Sequence, residues 1–554
     1  MSHTRTRHRL ADAAVEHSGG RRRPSTLVGT LAAALLASAC GGGGGGAELE
    51  TLRREAVGAL LGSVAQDSTV LLAKGDSIRI SATTLDFYQG RGSQAAWTSP
   101  KGPLAEARAL HEAIGRAGDD GLPPERYRHD VATGLLAALE ATGDARLSDS
   151  LTVRYLADLD VLLTEGFNRL ARDLALGMLD PEQAGLDYRI AQEAPPEGRL
   201  LDRVLAGETP AQLVATLRPS LPQYERMRAS LATFREAESR VWPRIEADTT
   251  LKEGARGASI AQLRERLMAG VDAEEARLAA IGAADPALFD ADLVRAVQHF
   301  QDRHALDSDG VVGATTVREL NHTAAEWVAE LQLNLDRWRW LPRDLGERYV
   351  LVNIAGFELE VIDQGRVIEA MSVVVGQESR ETPVFADSIQ FVVVNPYWNV
   401  PDGIMARTIT PGIAADPDYL AKNDMEIVDG RVRQRPGPKN SLGRYKFIFP
   451  NEFDVYLHDT PDGHLFSRTE RAFSSGCVRI ERPRDFARML LELQSSQDPD
   501  ALDGILATGG ERWLKLDRPL PVYLLYFTAW AHEDGTVRFH HDVYGRSEAL
   551  DDQA

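Results

Sequence analysis

The hydrophobic rhythm of the chain is helical over its first part and changes to strand spacing near residue 345. From about 61 to 250 it is rich in Ala, Leu, Arg and Glu, and apolar residues recur at helical spacing, as in Leu151, Tyr155, Leu159, Leu162 and Leu163. Gly121-Leu122-Pro123-Pro124 and Leu179-Asp180-Pro181 punctuate that stretch, which is predicted to be all-helical. Residues 254–322 predict a smaller helical unit. Ile260, Leu263 and Leu267 form one apolar face, Leu293, Val297 and Phe300 another, and Asp309-Gly310 makes a turn before a last short helix ending at Leu320. From Tyr349 the period falls to two. Tyr349 to Asn353, Phe357 to Asp363, Val367 to Val375, Ile389 to Asn395 and Val522 to Phe527 read as strands, and Asp534-Gly535 as a hairpin turn leading into Val537 to Phe539. A mostly-β domain over 345–545 follows. It is interrupted by a polar, Pro- and Gly-rich insertion at about 402–443, of the kind that serves as a lid. The predicted fold class is multidomain α+β.

A chain of 554 residues is too long for one core, in keeping with several domains. Its formal net charge of -20, with no basic stripe, excludes nucleic acid as a partner, because phosphate would be repelled. The two cysteines, Cys40 and Cys477, are too few and too far apart for a disulfide framework or a Cys-rich zinc site. There is no His-Glu-x-x-His pattern, phosphate loop or nucleotide fingerprint, so the sequence calls for no cofactor and no metal.

The first 40 residues read as an export signal. Arg21, Arg22 and Arg23 precede a short apolar stretch, Thr26 to Leu36, well below the ~20 residues needed to span a bilayer. The segment Ala37-Ser38-Ala39-Cys40 resembles the lipobox of bacterial lipoproteins. That resemblance implies lipidation of Cys40, a periplasmic or cell-envelope location and membrane attachment through the lipid; a plain secretory signal is the alternative. The glycine run Gly41 to Gly46 opens a predicted flexible tether over 41–60. With Cys40 lipidated, Cys477 is the one thiol left.

Chemistry concentrates in Tyr456-Leu457-His458-Asp459-Thr460 and Ser474-Ser475-Gly476-Cys477-Val478-Arg479. A free thiol of pKa about 8.5 is only partly ionised at neutral pH and needs a base. His458 titrates in the useful range, and His464, in the polar stretch Pro461-Asp462-Gly463-His464, is its rival. Gly476 lets backbone approach a substrate, and N–H groups around Cys477 could hold an oxyanion. The His-before-Cys order is the reverse of the papain-like peptidases.

His458 followed by Ser475-Gly476-Cys477-Val478-Arg479 resembles the signature of the L,D-transpeptidase catalytic domain. Gly376, Thr382-Pro383, Asn395 to Pro401 and Thr528-Ala529-Trp530 match the large periplasmic members. In the helical region Arg91 to Trp97 and Asp120 to Pro123 match their scaffold domain. Val294 through Phe300-Gln301 to Asp309-Gly310-Val311-Val312-Gly313 resembles the three-helix peptidoglycan-binding-like domain, for which glycan binding and mere docking both stand open. The resemblance implies that Cys477 acylates on a tetrapeptide stem and that a second stem resolves the thioester into a three-to-three cross-link. It makes His458 base and then acid, oriented by the backbone carbonyl of Asp459. Arg479, Ser475 and Ser474 would shape the site or hold the donor; Tyr456 and Trp398 would wall the groove or simply pack. Water or a protein lysine as acceptor would give an L,D-carboxypeptidase or an anchoring enzyme. A non-enzymatic, lipid-tethered peptidoglycan-binding scaffold is the remaining alternative.

Overall fold

The computed structural model describes residues 45–62, 69–142, 149–191, 200–246, 249–281 and 285–551. The export segment and Cys40 lie outside them. Among the described residues no helix is long and apolar enough to cross a membrane. The tether expected to run through residue 60 is corrected: Gly45–Leu61 is a helix. Past Gly46 the sequence turns to strong helix formers, and Arg53, Val57, Leu60 and Leu61 recur at helical spacing on one buried face. That face packs on a long central helix, Ser150–Leu176.

The central helix is buried on nearly every side, and its acidic residues hold the loops around it. Asp160 accepts the amides of Ala96, Trp97 and Thr98 at 2.8–2.9 Å and the hydroxyl of Tyr88 at 2.6 Å. Burial pushes the carboxyl of Asp160 up, and these donors oppose the shift. The region is not all-helical as expected, because two short hairpins, Thr69–Leu71 with Ser77–Arg79 and Thr98–Ser99 with Gly102–Pro103, form there. Strands this short carry no alternating pattern long enough to read.

The module after it packs helices Ala258–Ala269, Ala273–Ile281 and Ala291–Arg303, followed by the shorter Ala314–Leu320. Ile260, Leu263, Leu267, Leu293, Val297 and Phe300 share its core. Gln301 explains the turn beyond them: its amide donates to Asp309 and accepts from Gly310 N, where φ is +72°.

Strands of the C-terminal β region and its surroundings are numbered in chain order. They are β1 (Tyr188–Arg189), β2 (Arg348–Asn353), β3 (Glu358–Asp363), β4 (Arg366–Gly376), β5 (Val384–Val394), β6 (Trp398–Asn399), β7 (Met425–Val428) and β8 (Arg431–Gln434). Then come β9 (Tyr445–Ile448), β10 (Leu457–His458), β11 (Ala472–Ser474), β12 (Val478–Ile480), β13 (Arg512–Leu525), β14 (Ala529–Ala531) and β15 (Val537–Phe539). The main sheet runs β9-β10-β12-β4-β3-β2-β13-β5-β1, and a further β9–β5 pairing closes it on itself.

Two elements from before residue 250 belong physically to this sheet's core. β1 pairs in parallel with β5, and helix Pro222–Glu238 contributes Tyr224, Met227, Leu231 and Phe234 to the core that holds Val350, Val352 and Leu524. The insertion folds as short helical turns and a three-stranded sheet, β6-β8-β7. At its neck the amide of Asn395 donates to the carbonyl of Arg444 at 2.9 Å, so the chain enters and leaves at one point.

Candidate active site

Period-two alternation builds the site. On β9, β10 and β12 the residues Phe447, Leu457 and Val478 turn into the core, which sends Lys446, His458 and Arg479 to the other face. Register then places these three in one row: His458 pairs with Lys446 across the antiparallel ladder and with Arg479 across the parallel one. Two residues earlier on the same face, Tyr456 and Cys477 face each other. His458 and Cys477 are thus diagonal neighbours, about 8 Å apart at Cα by strand geometry, a gap their side chains span.

His458 is 5% exposed, and its Nδ1 lies 2.5 Å from the carbonyl oxygen of Asp459. A carbonyl only accepts, so Nδ1 carries the proton and Nε2 of the neutral ring is left with a free lone pair. Burial drives the imidazole pKa down to about 3, helped by the charges of Arg479 and Lys446 and opposed by the Asp459 carbonyl. The ring is therefore neutral at physiological pH. The Asp459 side chain does not touch it. That carboxylate accepts from the amides of Arg444 at 2.6 Å and Thr460 at 2.7 Å, locking the neck of the insertion to the histidine loop. A side chain at Gly443 would collide with Asp459, so glycine is required there.

Cys477 is half-buried and is the free cysteine among the described residues. Burial pushes its thiol up, while the backbone N–H of Tyr456 and the Lys446 ammonium pull the other way. Its Sγ donates to the carbonyl of Asp454 at 3.7 Å rather than to His458. The resting pair is a neutral thiol beside a neutral imidazole.

The cysteine loop is braced from within. Gly476 sits at φ +117°, its carbonyl accepts from Thr382 Oγ1 at 2.8 Å, and its amide donates to Ser474 Oγ at 3.1 Å. Within the oxyanion region expected around Cys477, the amide of Gly476 is thus occupied, while the amide of Cys477 has no partner among the described residues. Ser474, expected to hold substrate, is buried and also donates to the Cys477 carbonyl at 2.6 Å, so it shapes the loop instead. Ser475 is exposed beside it. Thr382 also accepts the amide of Gly376 at 2.9 Å, tying β4 to the loop.

Arg479 donates to Asp462 at 3.1 Å and Thr460 at 3.4 Å, and its buried Nε has no partner. Trp398 is 8% exposed on β6 and pairs with Gln434 inside the insertion, which makes it a packing residue rather than a groove wall. The ring of Tyr456 lies 5.6 Å from that of His458. His464 lies exposed on the helical turn Gly463–Ser467, apart from the row.

Lys446 escaped the sequence reading. Its ammonium lies 3.6 Å from the centroid of the Tyr456 ring, and burial lowers its pKa. A lysine within the apolar run Tyr445-Lys446-Phe447-Ile448 was the available signal.

Three family models match the chain: the scaffold domain over residues 82–231, the "Putative peptidoglycan binding domain" over 268–320, and the L,D-transpeptidase catalytic domain over 347–502. Residues 347–502 are thus similar to the L,D-transpeptidase catalytic domain, behind a scaffold-domain match and a peptidoglycan-binding-domain match. A Haemophilus influenzae protein named "Putative L,D-transpeptidase" is 34% identical over 237 residues, covering 39% of this chain and 47% of that protein. The chain thus matches about half the length of that curated relative. A solved L,D-transpeptidase from Stackebrandtia nassauensis is similar at 16% identity, covering 51% of this chain and 97% of that one with a TM-score of 0.20. One from Mycobacterium smegmatis is 12% identical, covering 32% and 58%, with a TM-score of 0.18.

Proposed function

We propose that this protein is a cell-envelope L,D-transpeptidase that forms three-to-three cross-links between peptidoglycan stems through a thioester on Cys477. The observation that carries the reading is the neutral His458, held by the Asp459 carbonyl with Nε2 unprotonated, on the same sheet face as the thiol.

In the first step the Cys477 proton passes to His458 Nε2 as sulfur attacks the carbonyl carbon before the terminal D-residue of a tetrapeptide stem. The amide of Cys477 holds the oxyanion. The C–N bond breaks, Nε2–H protonates the leaving amine, and a thioester remains. An amine of a second stem then attacks the thioester and gives its proton to His458. The C–S bond breaks, the new amide forms, and the thiol regains its proton. The chemistry uses side chains and backbone alone. Arg479, half-buried in the row beside His458, would hold a donor carboxylate, and Ser475 and Tyr456 would border it. Lipidation of Cys40 would keep this chemistry at a membrane surface.

Purified protein incubated with tetrapeptide muropeptides, with products read by mass spectrometry, tests the proposal. Cross-linked dimers are expected. Tripeptide monomers alone would make the protein an L,D-carboxypeptidase, and unchanged substrate would leave a non-enzymatic scaffold. Transfer of the stem to protein lysines would make it an anchoring enzyme.

A further inference from the structure

Far from Cys477 in sequence, two carboxylates and an imidazole meet, with buried polar atoms left unpartnered. Glu358 and Glu360 are alternate residues of β3 and share a face, while Leu359 and Val361 between and beyond them enter the core. The hairpin of β14 and β15 folds over that face, and His532 stands at the start of its turn, its amide bonded to the carbonyl of Thr536 at 2.9 Å. One ligand atom from each of Glu358, Glu360 and His532 lies within 4.8 Å of the others.

Three observations separate this cluster from an ordinary patch of acid. Glu360 is 6% exposed, yet its Oε2 is buried with no hydrogen-bond partner; Oε1 alone is met, by Trp530 Nε1 at 3.3 Å. His532 Nε2 is buried and equally unpartnered. The nearby guanidiniums are engaged elsewhere: Arg226 with the Ala531 carbonyl, Arg538 with Asp302, and Arg471 with the carbonyls of Val373, Arg468 and Phe357. The other carboxylate–histidine group among the described residues, Asp272, Glu275 and His299, is already answered by Arg303, whose Nε lies 2.7 Å from Glu275.

We propose that Glu358, Glu360 and His532 bind a divalent transition-metal ion of the zinc class. An imidazole with two carboxylates suits a borderline cation, whereas calcium and magnesium favour larger all-oxygen shells. Bonds of about 2 Å bring tetrahedral ligands to roughly 3.3 Å from one another, so side-chain rotation must close the group further. The ion would supply the partner that Glu360 and His532 lack. It would also fasten a hairpin that is gripped from two other sides. Arg303 of the peptidoglycan-binding module donates to the Val537 carbonyl at 3.2 Å, and Phe234 of helix Pro222–Glu238 meets Phe539 with ring centroids 5.6 Å apart. The role is structural and leaves the thiol chemistry unchanged.

The test uses the full chain carrying Cys40→Ser and Cys477→Ala, so that neither thiol can act as a ligand, after stripping with a chelator. Titration calorimetry with zinc chloride is expected to show one site, and zinc is expected to raise the melting temperature. Glu360→Gln and His532→Gln should each weaken binding at least about 100-fold and remove the thermal shift. His299→Ala should keep both. Circular dichroism checks folding, and Glu358→Gln, at the more exposed end, replaces any variant that does not fold. Absence of zinc binding by the parent protein, or undiminished affinity in the ligand variants, overturns the proposal.

Discussion

At the scale of single residues the site is organised by what each polar atom already touches. The Asp459 carbonyl fixes the His458 tautomer, so the ring's Nε2 is left unprotonated in the resting protein. His458→Ala is expected to abolish acylation of Cys477, measured as covalent labelling by a carbapenem under mass spectrometry, whereas His464→Ala is expected to label normally. Burial of the neutral ring has a second consequence. The unfolded chain protonates this histidine near pH 6.5 and the folded chain only near 3, so unfolding takes up a proton between those values. The contribution of the neutral ring to stability is therefore complete above pH 6.5 and declines as pH falls through that window. The stability difference between wild type and His458→Gln should shrink by about 1.4 kcal/mol per pH unit below 6.5, read from denaturant midpoints. A constant difference between pH 6.5 and 4.5 would contradict it. The thiol and the imidazole were legible in the sequence from their types and order, and the orienting carbonyl only through the family resemblance. The occupied amide of Gly476 and the flanking ammonium of Lys446 were not. Both depend on which residues face each other across strands, and spacing along the chain does not state that.

Elements bring those residues together through register and a few braces. Thr382 is the clearest brace, since one hydroxyl serves both the end of β4 and the cysteine loop. Thr382→Val keeps the shape and removes both bonds. It is expected to slow acylation about 10- to 100-fold by shifting the nucleophile, with the circular dichroism spectrum unchanged. Unaltered labelling kinetics would show the loop to be held by other contacts. Alternation exposed the long strands of the sheet to sequence reading, and helical spacing exposed the cores of the scaffold and of the small module. The two-residue strands β1 and β10 are too short to show any period, and the hairpins of the scaffold region hide among helices for the same reason. The helix Gly45–Leu61 was masked by the glycine run that leads into it.

In the whole molecule the boundaries that composition suggests are crossed by packing. β1 and helix Pro222–Glu238 lie before the peptidoglycan-binding module in sequence, yet they complete the catalytic sheet and its core. Helix Ala324–Arg339 adds Trp327, Leu331, Leu335 and Trp338 to the same core. A polypeptide limited to residues 345–551 would uncover all of these contacts. It is expected to be insoluble or to lack a cooperative melt, while the full chain unfolds catalytic sheet and helix Pro222–Glu238 together in one calorimetric transition. A soluble, cooperatively melting fragment would refute that. Rhythm along the chain revealed helical and strand regions, but it reports how each segment buries its own face and is silent on which segment a neighbour lies against.

The strand Tyr188–Arg189 gives this interleaving its sharpest form. A recombination event that replaced the catalytic region would part β5 from the strand that borders it and part the sheet from the helix beneath it. A swap at the point where the sequence looks most divisible would thus leave both pieces with an unpaired edge, whereas the insertion between Asn395 and Arg444 closes on itself at its neck and meets the rest again where the Tyr397 amide donates to Glu511 at 2.8 Å.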